Sequence, residues 1–194
     1  MSTSSKVITL LLLVAAGVAL YFTFSPENVA PSAPLAPGAS GAADAALAIP
    51  DAAEPATVNY VHDGDTIFLD TPRDSDLKVR LLAIDTPEID TPSIGTDAIG
   101  DDAECFGYEA RDYLRDTLPG GSTVYTLADT DETDQYGRAL LFIWTQDGTF
   151  INLNLVASGY AEAVFIGNNL LYEDEFEAAE DAAQAGSLGR WGAC

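Results

Sequence analysis

Histidine occurs once in the 194 residues, methionine once and cysteine twice, and just two of the eight basic residues are lysines. His62 has no cysteine near it, so no thiolate–imidazole set exists for zinc. No glycine-rich loop joins a strand-like run to a helix, which excludes a βαβ dinucleotide-binding fold. Basic charge is scarcest of all: 31 Asp and Glu face eight Lys and Arg, a formal net charge of −23. Such a surface repels phosphodiesters in dilute salt and argues against a simple electrostatic nucleic-acid binder. The repulsion fades in brine, because the Debye length falls to roughly 3 Å at 1 M. With 20 Asp against 11 Glu, the composition reads as a halophile's. An apolar fraction of 47% and a mean hydropathy of +0.09 exclude a wholly disordered chain and a polytopic membrane protein.

Val7 to Phe24 carries no charge and follows a short polar start whose one basic residue is Lys6. Eighteen residues as a helix would span about 27 Å, close to the hydrocarbon thickness. Residues 1–25 are therefore expected to form a hydrophobic helix acting as signal anchor or signal peptide. Ser25-Pro26 follows directly, without the small-x-small site of a cleaved leader, which favours the anchor. Lys6 favours an inside N-terminus and an external C-terminal domain, held at the cell membrane or, if cleaved, secreted. Residues 26–56 hold six of the ten prolines, twelve alanines, four acids and no basic residue. Nothing there repeats with a helical or strand period, so this stretch reads as a disordered Pro/Ala-rich linker.

The folded domain is expected over residues 57–194. Strand-like runs cover Val58–His62, Thr66–Leu69 and Lys78–Ile84, with turn signals at Asp63-Gly64 and Thr71-Pro72-Arg73-Asp74. Cys105–Thr117 switches to helical spacing and stops at Pro119-Gly120-Gly121. Strands Thr123–Ala128 and Ala139–Thr145 follow, then a short helix Asn152–Ser158 and a last helix Leu171–Gln184 with Tyr172, Phe176, Ala179 and Ala183 on one stripe. That order predicts an α+β domain, a five-stranded antiparallel barrel with packed helices.

Three segments concentrate the chemistry: Asp63-Gly64-Asp65-Thr66, Arg80 to Glu88, and Asp134-Gln135-Tyr136-Gly137-Arg138. Asp65, Asp85 and Glu88 are carboxylates at strand ends, suited to a hard cation with oxygen ligands. Arg80 and Arg138 supply two planar forks that match phosphate oxygens. A cation, a carboxylate base and two arginines are the parts needed for attack of water on a phosphodiester. Each piece also has a bland reading. Asp-Gly is a common turn, and Arg80 alternates with Val79 and Leu81 as an outward strand residue would.

In combination and order, residues 58–192 resemble the staphylococcal-nuclease (thermonuclease) family. The resemblance rests on Val61-His62-Asp63-Gly64-Asp65-Thr66, Val79 to Glu88, Asp134 to Arg138, Gly107-Tyr108-Glu109-Ala110, Asn152 to Val156 with Gly159-Tyr160-Ala161, and Gly189-Arg190-Trp191. It implies a five-stranded OB-fold barrel with about three packed helices. It also implies calcium held by Asp65, Asp85 and the Thr86 carbonyl, with Glu88 as general base and Arg80 and Arg138 clamping the phosphate. Tyr136 would hydrogen-bond a phosphate of the DNA or RNA substrate, which is cut with little sequence preference to leave 3′-phosphate ends. A monomer is expected. The departures are a net charge of −20 over residues 57–194, an acidic stretch from Ile89 to Glu104, and Phe165 in place of a base-stacking tyrosine.

Cys105 and Cys194 are expected to pair in an exported domain, two buried thiols being the alternative. His62 reads as a strand residue. The tract Asp129 to Asp134 lacks the Gly and Glu positions of a calcium loop and reads as acidic surface. The rival to a nuclease is a non-catalytic OB-fold module that binds a partner at the cell surface.

Overall fold

Alternation of inward apolar and outward polar residues builds a closed barrel in the computed structural model, which describes residues 47–89 and 103–194. Strands β1 (Glu54–Val61), β2 (Thr66–Asp70) and β3 (Leu77–Leu81) form an antiparallel meander. After β4 (Ile84–Asp85) comes helix α1 (Gly107–Thr117), then β5 (Thr123–Leu127) and β6 (Ala139–Thr145). The barrel closes in the order β1-β2-β3-β6-β5, with β5 pairing back onto β1. Ile67, Leu69, Val79, Leu81, Val124 and Phe142 point inward and are buried. This is an α+β fold of the OB type.

The barrel is mixed and not wholly antiparallel. β3 and β6 run parallel, with Val79 opposite Ala139 and Arg80 opposite Leu140. The connection from β3 to β6 passes through α1 and β5, and its length lets β6 return in the same direction. The expected strand Lys78–Ile84 is also broken. Leu82 and Ala83 turn the chain, Ala83 at a φ of 61°, and β4 pairs with β7 (Glu162–Ala163) in a separate two-stranded sheet.

Helices α2 (Ile151–Ala157) and α3 (Glu173–Ala185) pack on the barrel, followed by a last turn, α4 (Arg190–Ala193). α3 buries Phe176 and Ala183, and Phe176 joins an aromatic cluster with Phe142, Phe150 and Phe165. Phe165 meets Phe176 edge-on, so it serves the core and does not stand free for stacking. The sulfurs of Cys105 and Cys194 are bonded and join the start of α1 to the residue after α4.

Folded structure begins before position 57. Leu47 and Ile49 pack on the core, and the Leu47 carbonyl accepts a hydrogen bond from Trp144 Nε1 at 2.9 Å. Two apolar residues scattered among alanines and prolines carry no period, which is why composition assigns them to a linker. His62 lies just beyond the end of β1, its ring edge-on to Phe68. The expected hydrophobic helix and most of the linker fall outside the described residues. Among the described residues no helix is long and apolar enough to cross a membrane.

Candidate active site

The turn between β1 and β2 is fixed by Asp63, whose carboxylate accepts the N–H groups of Asp65 (3.1 Å) and Thr66 (2.7 Å). Gly64 is required there by contact: a Cβ would lie 2.6 Å from Thr86 Oγ1. This close approach brings the loop after β4 against the turn. Asp65 Oδ2 accepts from the Thr86 N–H at 3.3 Å and from its hydroxyl at 3.1 Å. The Asp65 carbonyl accepts the Leu81 N–H at 2.8 Å, which sets Asp65 beside β3.

Arg80 lies between two carboxylates. Its Nη1 is 2.5 Å from Asp65 Oδ2 and its Nη2 is 2.5 Å from Asp85 Oδ1. The side chain belongs to the outer face of β3, as alternation predicts, yet Arg80 is only 7% exposed because these carboxylates cover it. The Asp65 contact is ionic without a well-directed hydrogen bond, leaving Nη1 a buried donor with capacity to spare. Asp65 is itself buried, whereas about half of the Asp85 side chain is open to solvent.

Glu88 sits on the loop after β4. Its N–H donates to Glu104 Oε2 at 3.0 Å, and its carbonyl accepts the Glu104 N–H at 2.8 Å. Helix α1 abuts this loop through Gly107, where a Cβ would meet Ile89 Cγ2 at 2.7 Å and the Glu88 carbonyl at 2.9 Å. Burial pushes the Asp65 carboxyl up to about 7 against the Arg80 guanidinium, with the Asp63 charge adding to the rise. Glu88 is raised as well, by burial first and then by Asp63, Asp85 and Glu104, with Arg80 opposing.

The third segment enters β6 through a tight turn. Asp134 Oδ1 accepts the N–H groups of Tyr136 and Arg138, each at 2.9 Å, and Arg138 Nε pairs with Asp134 Oδ2 at 2.6 Å. Those contacts outweigh burial and hold the Asp134 carboxyl below its ordinary value. The Arg138 guanidinium lies 5.6 Å from the centroid of the Tyr136 ring, which is 76% exposed. Among the described residues no hydrogen bond or ion pair joins Arg138 to the Arg80 cluster. The parallel pairing of β3 with β6 brings the two segments to neighbouring positions, since Arg138 precedes Ala139 and Arg80 follows Val79.

Asp65, Asp85, Thr86, Glu88 and Arg80 are thus gathered at one end of the barrel, while Arg138 and Tyr136 flank it on an adjacent strand entrance. Oxygen donors without Cys or His fit a hard divalent cation. No group of three or more His, Cys, Asp or Glu among the described residues closes around one point, so water would complete the shell of such an ion.

The sequence marks Asp63-Gly64 as a turn, but three residues whose positioning roles it does not reveal stand out in the structure. Asp63 organises the turn, Glu104 clasps the backbone of Glu88, and Asn152 holds the β3–β4 turn. Asn152 is fully buried, accepts the Ile143 N–H at 2.9 Å, and donates to the carbonyls of Leu82 (2.9 Å) and Leu141 (3.2 Å). A polar amide on the inward stripe of a short apolar helix is the signal that points to it.

Comparison with known proteins agrees with this architecture. Residues 78–193 match the model of the family described as Staphylococcal nuclease homologue. The chain is 36% identical over 136 residues to endonuclease YhcR of Bacillus subtilis, covering 69% of this chain and 11% of that protein. It is 33% identical over 134 residues to the thermonuclease of Staphylococcus intermedius, covering 69% and 74% respectively. For the thermonuclease of Staphylococcus hyicus the identity is 32% over 124 residues, covering 64% and 68%. The chain spans a small part of the Bacillus protein and about three quarters of the first thermonuclease. Given a barrel of this topology and a matched span of more than half its length, the chain belongs to the staphylococcal nuclease family.

Proposed function

We propose that this chain is a calcium-dependent nuclease that hydrolyses phosphodiester bonds of DNA, RNA or both, acting at the cell surface or in the medium. One observation carries the reading: the Arg80 guanidinium shared by Asp65 and Asp85, beside the loop that bears Glu88. The names of the relatives, thermonuclease and endonuclease, support it. Asp65, Asp85 and the Thr86 carbonyl would hold the cation, which supplies positive charge to polarise the phosphoryl group.

Glu88, made more basic than an ordinary glutamate by burial first and then by its acidic neighbours, takes a proton from the attacking water. The water oxygen bonds to phosphorus, the bond from phosphorus to the 5′ oxygen breaks, and the departing oxygen takes a proton from solvent water, leaving a 3′-phosphate and a 5′-hydroxyl. The Arg80 fork matches phosphate oxygens and stabilises the added transition-state charge. Arg138 and Tyr136 serve the same phosphate from the β6 side, Arg138 exchanging Asp134 for it.

Digestion of denatured DNA tests the assignment. Cleavage is expected with calcium and not with chelator, and faster in molar than in dilute salt, since screening lowers repulsion from the acidic surface. Glu88→Gln should cut at least about a hundredfold more slowly at a Tm no lower than the parent's. Chelator-resistant cleavage, or a Glu88→Gln enzyme as fast as the parent, defeats the proposal.

A further inference from the structure

Tyr60 and Phe68 stand outside the barrel beside the Arg80 cluster and stack on each other, centroids 4.5 Å apart and planes at 11°. Tyr60 remains 42% exposed. Lys78, one of two lysines in the chain, places its Nζ 5.8 Å from the Phe68 centroid, and the His62 ring meets Phe68 edge-on at 6.3 Å. Tyr60, Phe68 and Lys78 form one cross-strand row over β1, β2 and β3. The next row on that face pairs Thr66 with Arg80, two residues or about 7 Å further along the strands.

A backbone irregularity creates this arrangement. β1 pairs Val58 with Leu69 and Tyr60 with Phe68, so Asn59 is an extra residue in the ladder. Strict alternation from the buried Val58 would turn Tyr60 into the core. The bulge re-aims it outward and returns Val61 inside. Asn59 Nδ2 holds the bulge by donating to Asp70 Oδ1 at 2.9 Å.

We propose that the Tyr60–Phe68 row is a stacking platform for a base of single-stranded nucleic acid lying next to the scissile phosphate, with Lys78 facing the backbone. The inference rests on the nuclease reading and narrows its substrate to unpaired strands. Asp70 and Asp76 border the row, so attraction for phosphate is weak there. Stacking needs no net charge and tolerates any base, because every base has a π-face. Phosphate contacts weaken steeply as salt rises, through counterion release. In this acidic chain the ring pair supplies grip that brine does not remove. Duplex bases, already stacked on one another, cannot use it.

Two measurements on the full chain decide the matter. In steady-state cleavage, Tyr60→Thr, which keeps a β-branched strand former, should raise KM for long oligothymidylate about tenfold. Its kcat, and its kinetics on a dinucleotide too short to span both sites, should be unchanged. Tyr60→Trp should restore the parent KM. An unchanged KM, or equal losses on both substrates, overturns the platform. In the second measurement, fluorescent oligothymidylate is titrated into Glu88→Gln protein in chelator, with and without Tyr60→Thr. Weaker binding with Tyr60→Thr supports the platform even if the parent cleaves nothing, in which case the nuclease reading alone fails. Equal binding, or none, overturns the platform itself.

Discussion

A guanidinium wedged between carboxylates keeps acidic groups together that would otherwise drive each other apart, and Arg80 does this for Asp65 and Asp85. Burial raises both Asp65 and Glu88, and the acids around them add to the rise because the single Arg80 cation does not offset the whole of it. Both start from about 4 in the unfolded chain. Between there and about 7 the folded, metal-free protein binds more protons than the unfolded one, so its stability falls as pH rises through that window. Asp70, Asp134 and Asp147 are lowered and act oppositely, losing stabilisation only as pH drops below the ordinary carboxylate range. Thermal melts in chelator should therefore show Tm highest near the ordinary carboxylate range and declining toward neutrality, with a shallower decline for Asp65→Asn. An equally steep decline in that variant refutes the assignment to Asp65. The acids and Arg80 were legible as residue types at strand ends. Their contact was not, because alternation reports the face on which Arg80 lies and says nothing of what covers it.

The β3–β4 turn is the element that makes the site. Ala83 accepts a left-handed backbone, which residues with a Cβ adopt at a cost, and Asn152 repays part of it by bonding Leu82 on one side and β6 on the other. Replacing Asn152 by Leu keeps the volume but takes the partner from the Ile143 N–H and the Leu82 carbonyl, while the Leu141 carbonyl keeps the Leu82 N–H; this should cost about 2–3 kcal/mol. The measurement is the urea midpoint, and activity should fall as the Asp85 segment loosens. Strand β6 was readable at Ala139–Thr145 from its apolar run, and α1, α2 and α3 from their periods to within two residues or so. Pairing partners were not readable. Alternation in β3 is satisfied by a parallel or an antiparallel neighbour alike, and two-residue strands such as β4 and β7 are too short to carry a period.

Taken whole, the molecule combines a closed barrel, a dense acidic surface and one covalent tie. Cys105 and Cys194 are 89 positions apart, and a closed loop of that length restricts the unfolded chain by roughly 4–5 kcal/mol in the loop-entropy account. Reduction should therefore lower the denaturation midpoint clearly, and a reduced protein that melts where the oxidised one does would contradict it. Cys105 also follows Glu104, so loss of the tie should slacken the clasp on Glu88 and lower activity before global unfolding. The parallel seam of the barrel has a consequence in time. Val79 and Ala139 are sixty positions apart, and contacts so distant in the chain close late because ordering the intervening segment comes first. Until that seam zips, a nascent polypeptide carries its two arginine segments on unjoined halves. The arginine pair therefore assembles no earlier than the closing of the barrel, and partly folded chains lack it.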